Sequence, residues 1–255
     1  MGATGSTGAA TLNYLLETQP DDLRLNIFVR NKTKLLAAFP QLEKTVNPEI
    51  HIYVAPITDL DTLTECLDGA EVIYNCVADN KSTRDMDIAQ QAAASIIEAL
   101  TRLHTEALGK PPVVLMNRTV FWNETVVDEM PGFARKLMGF ILGYVYTDIK
   151  KAELLYRHEA EQSKPVLNFI LMDGPGLHDS VSMERTGHEL ILTHREVGPG
   201  LNYADFGAAW VEAASKKEDL RNREVAVNAT GKVREEFSVL LGYLWQGIIA
   251  RILPW

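Results

Sequence analysis

The sequence predicts a doubly wound α/β protein, a parallel sheet with helices on both faces. Three observations carry that expectation. Short apolar runs alternate with longer helical stretches along the chain, the pattern of parallel strands joined by helical crossovers. A glycine turn, Gly2-Ala3-Thr4-Gly5-Ser6-Thr7-Gly8, runs straight into the first helix. The 255 residues, 46% of them hydrophobic, suffice for one sizeable core over 1–255, with two separate domains disfavoured.

Each element has its own signal. A helix over 8–17 follows the glycines. LRLNIFVRN (23–31) reads as a strand ending in a basic residue, and KTKLLAAF as a short helix stopped by Pro40. IHIYVAPI (50–57) alternates like a strand, and 58–69 is a loop and short helix capped by Asp61 or Thr62 and closed by Gly69. EVIYNCVA (71–78) is a continuous apolar run, expected to be buried on both faces. A long helix spans 85–108, ended by Gly109 and Pro111, and PVVLMN (112–117) is the next buried strand. One or two helices follow FWNETVVDEMPGF, a strand covers 165–172, and DGPGLHDS is loop. A helix over 202–215, a strand over 223–229 and a closing apolar helix over 234–253 complete the set. The substrate-binding part is expected from about 118–145 and 173–202.

In this architecture ligands sit beyond the carboxyl ends of the strands. That directs attention to residues 2–8, 30–34, 77–80, 117–119 and 172–178. Residues without Cβ let a backbone touch a pyrophosphate, and the helix opening near Gly5 points its free N–H groups and positive dipole end there. Gly2, Thr4, Gly5, Ser6, Thr7 and Gly8 are therefore candidate dinucleotide contacts, with Val77 and Ala78 at a later strand end. A preference for NAD would place Asp or Glu at the second strand end. This chain places Arg30, then Asn31, Lys32 and Lys34, cations that suit a 2′-phosphate, so NADP is the expected cofactor. Asp59 is a candidate neighbour of the adenine, or simply a helix-leading acid.

Such a turn normally hangs from a buried strand, and only Met1 precedes it here. The expected sheet therefore lacks its first strand, and the favoured explanation is a start placed inside a longer natural chain.

The bulk numbers exclude several classes. A net charge of −9 disfavours nucleic acid as a partner. Cys66 and Cys76 lie in apolar surroundings and read as packing, not as a disulfide framework. The sequons at Asn31, Asn80, Asn117, Asn123 and Asn228 carry little weight with no signal peptide ahead of them. No apolar run reaches the roughly 18 residues of a membrane span, so a cytoplasmic protein is expected. His188 and His194 lack partners at ligand spacing, so no metal is expected. There is no G-x-S-x-G nucleophile elbow.

GATGSTG, FVRNKTKL, DLDTLTECLDGAEVIYNCVADN, MDGPGL and NYADFGAAWVEAA together resemble an atypical short-chain dehydrogenase/reductase of the NAD(P)-binding Rossmann superfamily. The chain is most similar to the fungal averufin oxidase A family, in VRNKTKL, VADN, YTDIKKAELL, YAD and the Pro-Trp end. The resemblance implies an oxidoreductase of fungal aromatic polyketide chemistry that uses NADPH on a bulky aromatic or polycyclic small molecule.

It also implies a Tyr acid/base with a Lys four residues on, one helical turn away. YTDIK supplies Tyr146 and Lys150. Aligning on Ala152-Glu153 instead puts Val145 and Ile149 in those columns, and Tyr144 with Asp148 is a reserve pair. Where relatives carry Ser, this chain reads Met116-Asn117-Arg118-Thr119, so Asn117 is the candidate carbonyl donor, with Thr119 as substitute. That departure leaves open a non-redox isomerase, dehydratase or cyclase, and a dinucleotide-sensing regulatory protein is a third reading. Phe121, Trp122 and His178 are candidate pocket residues. The last apolar helix either packs on the sheet flank, forms a homodimer contact, or rests on a membrane surface.

Overall fold

The computed structural model describes residues 1–20, 23–44, 49–79, 83–104, 110–124, 126–128, 131–193 and 195–234, with 245, 248 and 249 beyond. After the glycine turn come α1 (Ser6–Thr18), β1 (Leu25–Val29), α2 (Lys32–Ala38), α3 (Gln41–Lys44) and β2 (Ile50–Val54). Next are α4 (Leu60–Leu67), β3 (Val72–Asn75), α5 (Ile88–His104) and β4 (Val113–Thr119). A 3-10 turn (Val120–Trp122), β5 (Val127–Asp128), α6 (Gly132–Ile141) and α7 (Gly143–Ala160) follow. The chain continues through β6 (Asn168–Gly174), β7 (Gly176–His178), β8 (His188–Ile191), β9 (Glu196–Val197) and β10 (Gly200–Asn202). It ends its described course with α8 (Tyr203–Ser215), α9 (Lys217–Leu220) and β11 (Arg223–Ala229).

The main sheet has the order β3-β4-β6-β11-β8. Its first four strands are parallel, and β8 closes the edge antiparallel to β11. Side chains alternate across it. Val114, Met116, Phe169 and Leu171 pack under α4, α5 and α7, while Leu115, Ile170, Met172, Val225 and Val227 pack under α8. Two covered faces explain why β4 and β6 are nearly continuous apolar runs. In β3, Ile73 and Asn75 are buried but Val72 and Tyr74 only half-buried, so its two faces are covered unequally.

The parallel pair β1–β2 forms a separate two-stranded sheet. Ile27 and Val29 of β1 pack with Leu12 of α1 and with Leu35 and Phe39. Met1 lies along β3: its amino group donates to the Tyr74 carbonyl at 2.8 Å, and its carbonyl accepts from the Cys76 N–H at 3.2 Å. Helix α1 packs against α8 so closely that a Cβ at Gly207 would lie 2.5 Å from the Ala10 carbonyl carbon.

One open reading is narrowed, and two expectations need correction. The stretch read as one or two helices after Pro131 is two, α6 and α7, divided near Leu142. DGPGLHDS, read as loop, holds the end of β6 and all of β7, because β7 finds a parallel partner in β10. Long-range pairing supplies backbone partners there that local turn residues do not announce. The cap of α4 is neither Asp61 nor Thr62: the Asp59 carboxylate accepts from the Thr62 N–H at 3.1 Å. The helix expected over 234–253 lies outside the described residues apart from four positions.

Candidate active site

The start of α1 and the ends of β3 and β4 surround a cleft of about 150 Å³. Its lining includes Gly5, Ser6 and Thr7 at the start of α1, Cys76, Val77 and Ala78 after β3, and Asn117, Ile149, Leu177 and Tyr203. Gly2 adopts φ +76°, and a Cβ there would lie 2.6 Å from the Cys76 carbonyl oxygen. A Cβ at Gly8 would lie 2.2 Å from the Gly2 carbonyl oxygen, so both glycines are imposed by the fold of the turn. Gly5 differs: its Cβ would meet nothing nearer than the Gly2 oxygen at 3.5 Å. The space before it belongs to the cleft. Thr4 is half-buried between them.

Helices α1, α5 and α8 each bring first-turn residues to this cleft, and α1 alone has neither a carboxylate cap nor an acid in its first turn. At α5 the Asp148 carboxylate accepts from the Ala89 N–H at 2.9 Å and the Gln90 N–H at 3.1 Å, filling the positive end of that helix. At α1 the N-cap is Gly5, with no side-chain cap and no acid in the first turn. Its unpaired amides face the cleft, as an anion site requires. The residues present therefore fit the pyrophosphate of a dinucleotide. Asp148, in the reserve catalytic pair with Tyr144, is engaged as the cap of α5.

At the end of β1, Arg30 is exposed and makes no hydrogen bond or ion pair among the described residues. Asn31 caps α2 by accepting from the Lys34 N–H at 2.9 Å, which fixes Lys34 on the first turn with its side chain exposed. Asp59 is occupied by its capping bond.

Among the described residues the buried Asn117 Oδ1 atom finds no hydrogen-bond partner, and Asn117 lines the cleft. Such an orphaned acceptor costs about 1–3 kcal/mol unless something supplies a donor. Tyr146 and Lys150 lie on α7 outside the lining, whereas Ile149 contributes to it. The Tyr146 ring meets Trp122 edge-on at 5.4 Å and Phe121 at 6.3 Å. Burial pushes its phenol up to about 12. The Lys150 ammonium donates to Glu153 at 3.1 Å and sits 5.7 Å over the Trp122 ring. Burial likewise pushes the Cys76 thiol up to about 12, which leaves it un-ionised and a packing residue. His178 is half-buried on β7, His188 pairs with Glu212 at 2.9 Å, and His194 lies outside the described residues. Among the described residues no cluster of possible metal ligands occurs.

A buried ionic network stands behind the cleft. The Arg118 guanidinium donates to both oxygens of Asp173 at 2.6 and 2.8 Å, to Glu153 at 3.1 Å and to Glu224. Arg157 donates to Glu153 at 2.8 Å and also reaches Glu224. Asn123 adds a donor to Asp173 at 2.6 Å. Burial lifts Asp173 to about 6, and Arg118 and Asn123 work against that rise. Burial opposes ionisation of Glu153 too, but Arg157, Arg118 and Lys150 together hold it below its usual range. Sequence reasoning missed this network and missed Tyr203. The available signal was a charged residue closing each of two buried apolar runs, Arg118 after VVLMN and Asp173 after FILM.

Comparison with known proteins agrees with this geometry. Residues 2–108 match a family model described as NAD(P)H-binding. Averufin oxidase A of Dothistroma septosporum is 40% identical over 100% of this chain and 91% of its own length. The averufin oxidase of Aspergillus flavus is 39% identical over 99% of this chain and 89% of its own length. Among solved structures, a short-chain dehydrogenase/reductase from Veillonella parvula in complex with NADP superposes with a TM-score of 0.64 at 16% identity, covering 90% of this chain and 93% of that one. That likeness shows the fold.

Proposed function

The chain belongs to the averufin oxidase family of NAD(P)-binding oxidoreductases, and on that premise we propose that it is an NADP-dependent enzyme acting on an aromatic polyketide-type small molecule. The observation that carries the reading is the uncapped N-terminus of α1 opening on the same cleft as the orphaned Asn117 oxygen. The α1 amides suit an anion, and the Asn117 oxygen lacks a donor that a ligand could supply.

Gly5, Ser6 and Thr7 hold the pyrophosphate with backbone N–H groups, and Thr4 and the two flanking glycines shape the turn. Val77 and Ala78 line the cleft after β3. Arg30 and Lys34, exposed cations after the end of β1, would read a ribose 2′-phosphate and so favour NADP over NAD. When bound, the nicotinamide supplies or takes up a hydride. Asn117 orients a polar group at the reacting end. Tyr146, kept protonated by burial, gives its proton to the carbonyl oxygen in the reductive direction, and Lys150 holds the turn of α7 beside it through Glu153. Relatives named averufin oxidase, and an oxidoreductase of Paecilomyces divaricatus at 30% identity, support redox chemistry over the non-redox and sensing alternatives.

The test is cofactor consumption at 340 nm with hydroxyanthraquinone or aromatic ketone substrates. NADPH is expected to be consumed and NADH to serve about tenfold or more worse, with Arg30→Glu removing that preference. Tyr146→Phe is expected to lower kcat about 100-fold without weakening NADPH binding. Full activity in Tyr146→Phe sinks the assigned acid, and an unchanged preference in Arg30→Glu sinks the assigned 2′-phosphate site.

A further inference from the structure

The side chains that pack on Tyr146 come from a three-residue turn, and that turn is anchored from behind. Phe121 and Trp122 both meet the Tyr146 ring edge-on. They sit on the 3-10 turn Val120–Trp122 that leaves β4. Val120 plugs a small apolar cluster with Ile191, Val197 and Ala226. The turn closes when the Asn123 N–H donates to the Val120 carbonyl at 3.1 Å. Asn123 itself is buried, and its side-chain amide donates to Asp173 at 2.6 Å. Asp173 is held in turn by the two-pronged Arg118 contact.

We propose that Asn123 is a positioning residue, which ties the aromatic turn to the end of β6 and so sets where the Tyr146 phenol stands. The proposal rests on the reading of Tyr146 as the proton donor. A hydrogen bond to an ionised acceptor is short and directional, and it adds to the backbone closure, the Thr119 cap at the Phe121 N–H and the Val120 plug in fixing the turn. Displacing a reacting group by about 1 Å costs as much as a hundredfold in rate. Asn123 is not among the residues that line the cleft, so cofactor binding is expected to be independent of it. The same contact rules Asn123 out as a glycosylation site in the folded protein, although it begins an Asn-x-Thr triplet.

Asn123→Ala and Asn123→Asp, each as the full chain, test the proposal. Asn123→Ala is expected to lower kcat at least about tenfold while the NADPH dissociation constant stays within about twofold. NADPH titration counts folded sites, and Asn123→Ser, which keeps a short donor, substitutes if the alanine variant does not fold. Asn123→Asp separates positioning from general loosening. It sets a second carboxyl against Asp173, facing Arg118 from β4, Glu224 from β11 and Glu153, Arg157 and Lys150 from α7. With both carboxylates ionised the turn is pushed away; with one proton shared between them the bond is restored. The activity of Asn123→Asp relative to the parent is therefore expected to rise as pH falls from about 8 to about 5.5. A ratio flat in pH, or an alanine variant with parental kcat, overturns the proposal. Parental activity in Tyr146→Phe instead overturns the underlying reading. An inactive Tyr146→Phe beside a fully active Asn123→Ala overturns this inference alone.

Discussion

Gly5 and Gly8 stand three residues apart, yet their missing side chains serve different ends. Gly8 has no Cβ because the backbone of Gly2 occupies that space at 2.2 Å; Gly5 has none although only cleft lies before it. Gly8→Ala must move the turn, so it is expected to lower stability by about 2 kcal/mol or more and to weaken NADPH binding as well. Gly5→Ala is expected to leave the melting temperature within a few degrees and to weaken NADPH binding about tenfold or more. Thermal melts and cofactor titrations on the two variants separate the roles. If Gly5→Ala binds like the parent, the cleft is not the phosphate site. At this scale the sequence was most legible where chemistry is local. A glycine run read as a turn because a backbone without Cβ is a local property. Arg118 and Asp173 showed only as charges closing apolar runs and Tyr203 not at all, because a buried ion network and a cleft wall exist only once β4, β6, β11, α7 and α8 come together.

Helices were located well by their periodicity, and their ends less well. Asp148 shows why. It sits in the middle of α7 and caps a different helix, α5, from the side. A capping search within α5 cannot find it, since the carboxylate comes from 59 residues away. Asp148→Ala leaves two amides of α5 without a partner at the positive end of that helix. A loss of about 1–2 kcal/mol is expected, and Asp148→Asn is expected to recover part of it, since the amide oxygen still accepts but carries no charge. Denaturant melts of the two variants check this, and equal stability of Asp148→Ala and the parent refutes the cap. The same principle governs the short strands β5 and β7–β10. They pair parallel or antiparallel with residues far along the chain, and their Gly-Pro-Gly and polar composition reads locally as loop. The positions of the longer strands along the chain, by contrast, followed from apolar runs set between helices.

On the scale of the molecule, the fold class was legible because alternation of strand and helix runs through the whole chain. The division of the strands was less so. The five-stranded sheet carries the orphaned Asn117 and the ionic network, whereas Arg30 follows the two-stranded β1–β2 pair. A pair of strands has little stability of its own and relies on the helices packed against it. Backbone amides in 25–29 and 50–54 are thus expected to exchange with deuterated solvent sooner than those in 168–174, and NADPH is expected to slow the first group selectively. Equal rates in the two groups refute this. The consequence concerns how affinity divides between the two ends of a dinucleotide. On the proposed reading, the end met by the main sheet would enter a surface built on five paired strands. If Arg30 meets the 2′-phosphate as proposed and the β1–β2 pair exchanges sooner as predicted, part of the attraction between cation and phosphate would be spent on lost motion, a share that grows with temperature.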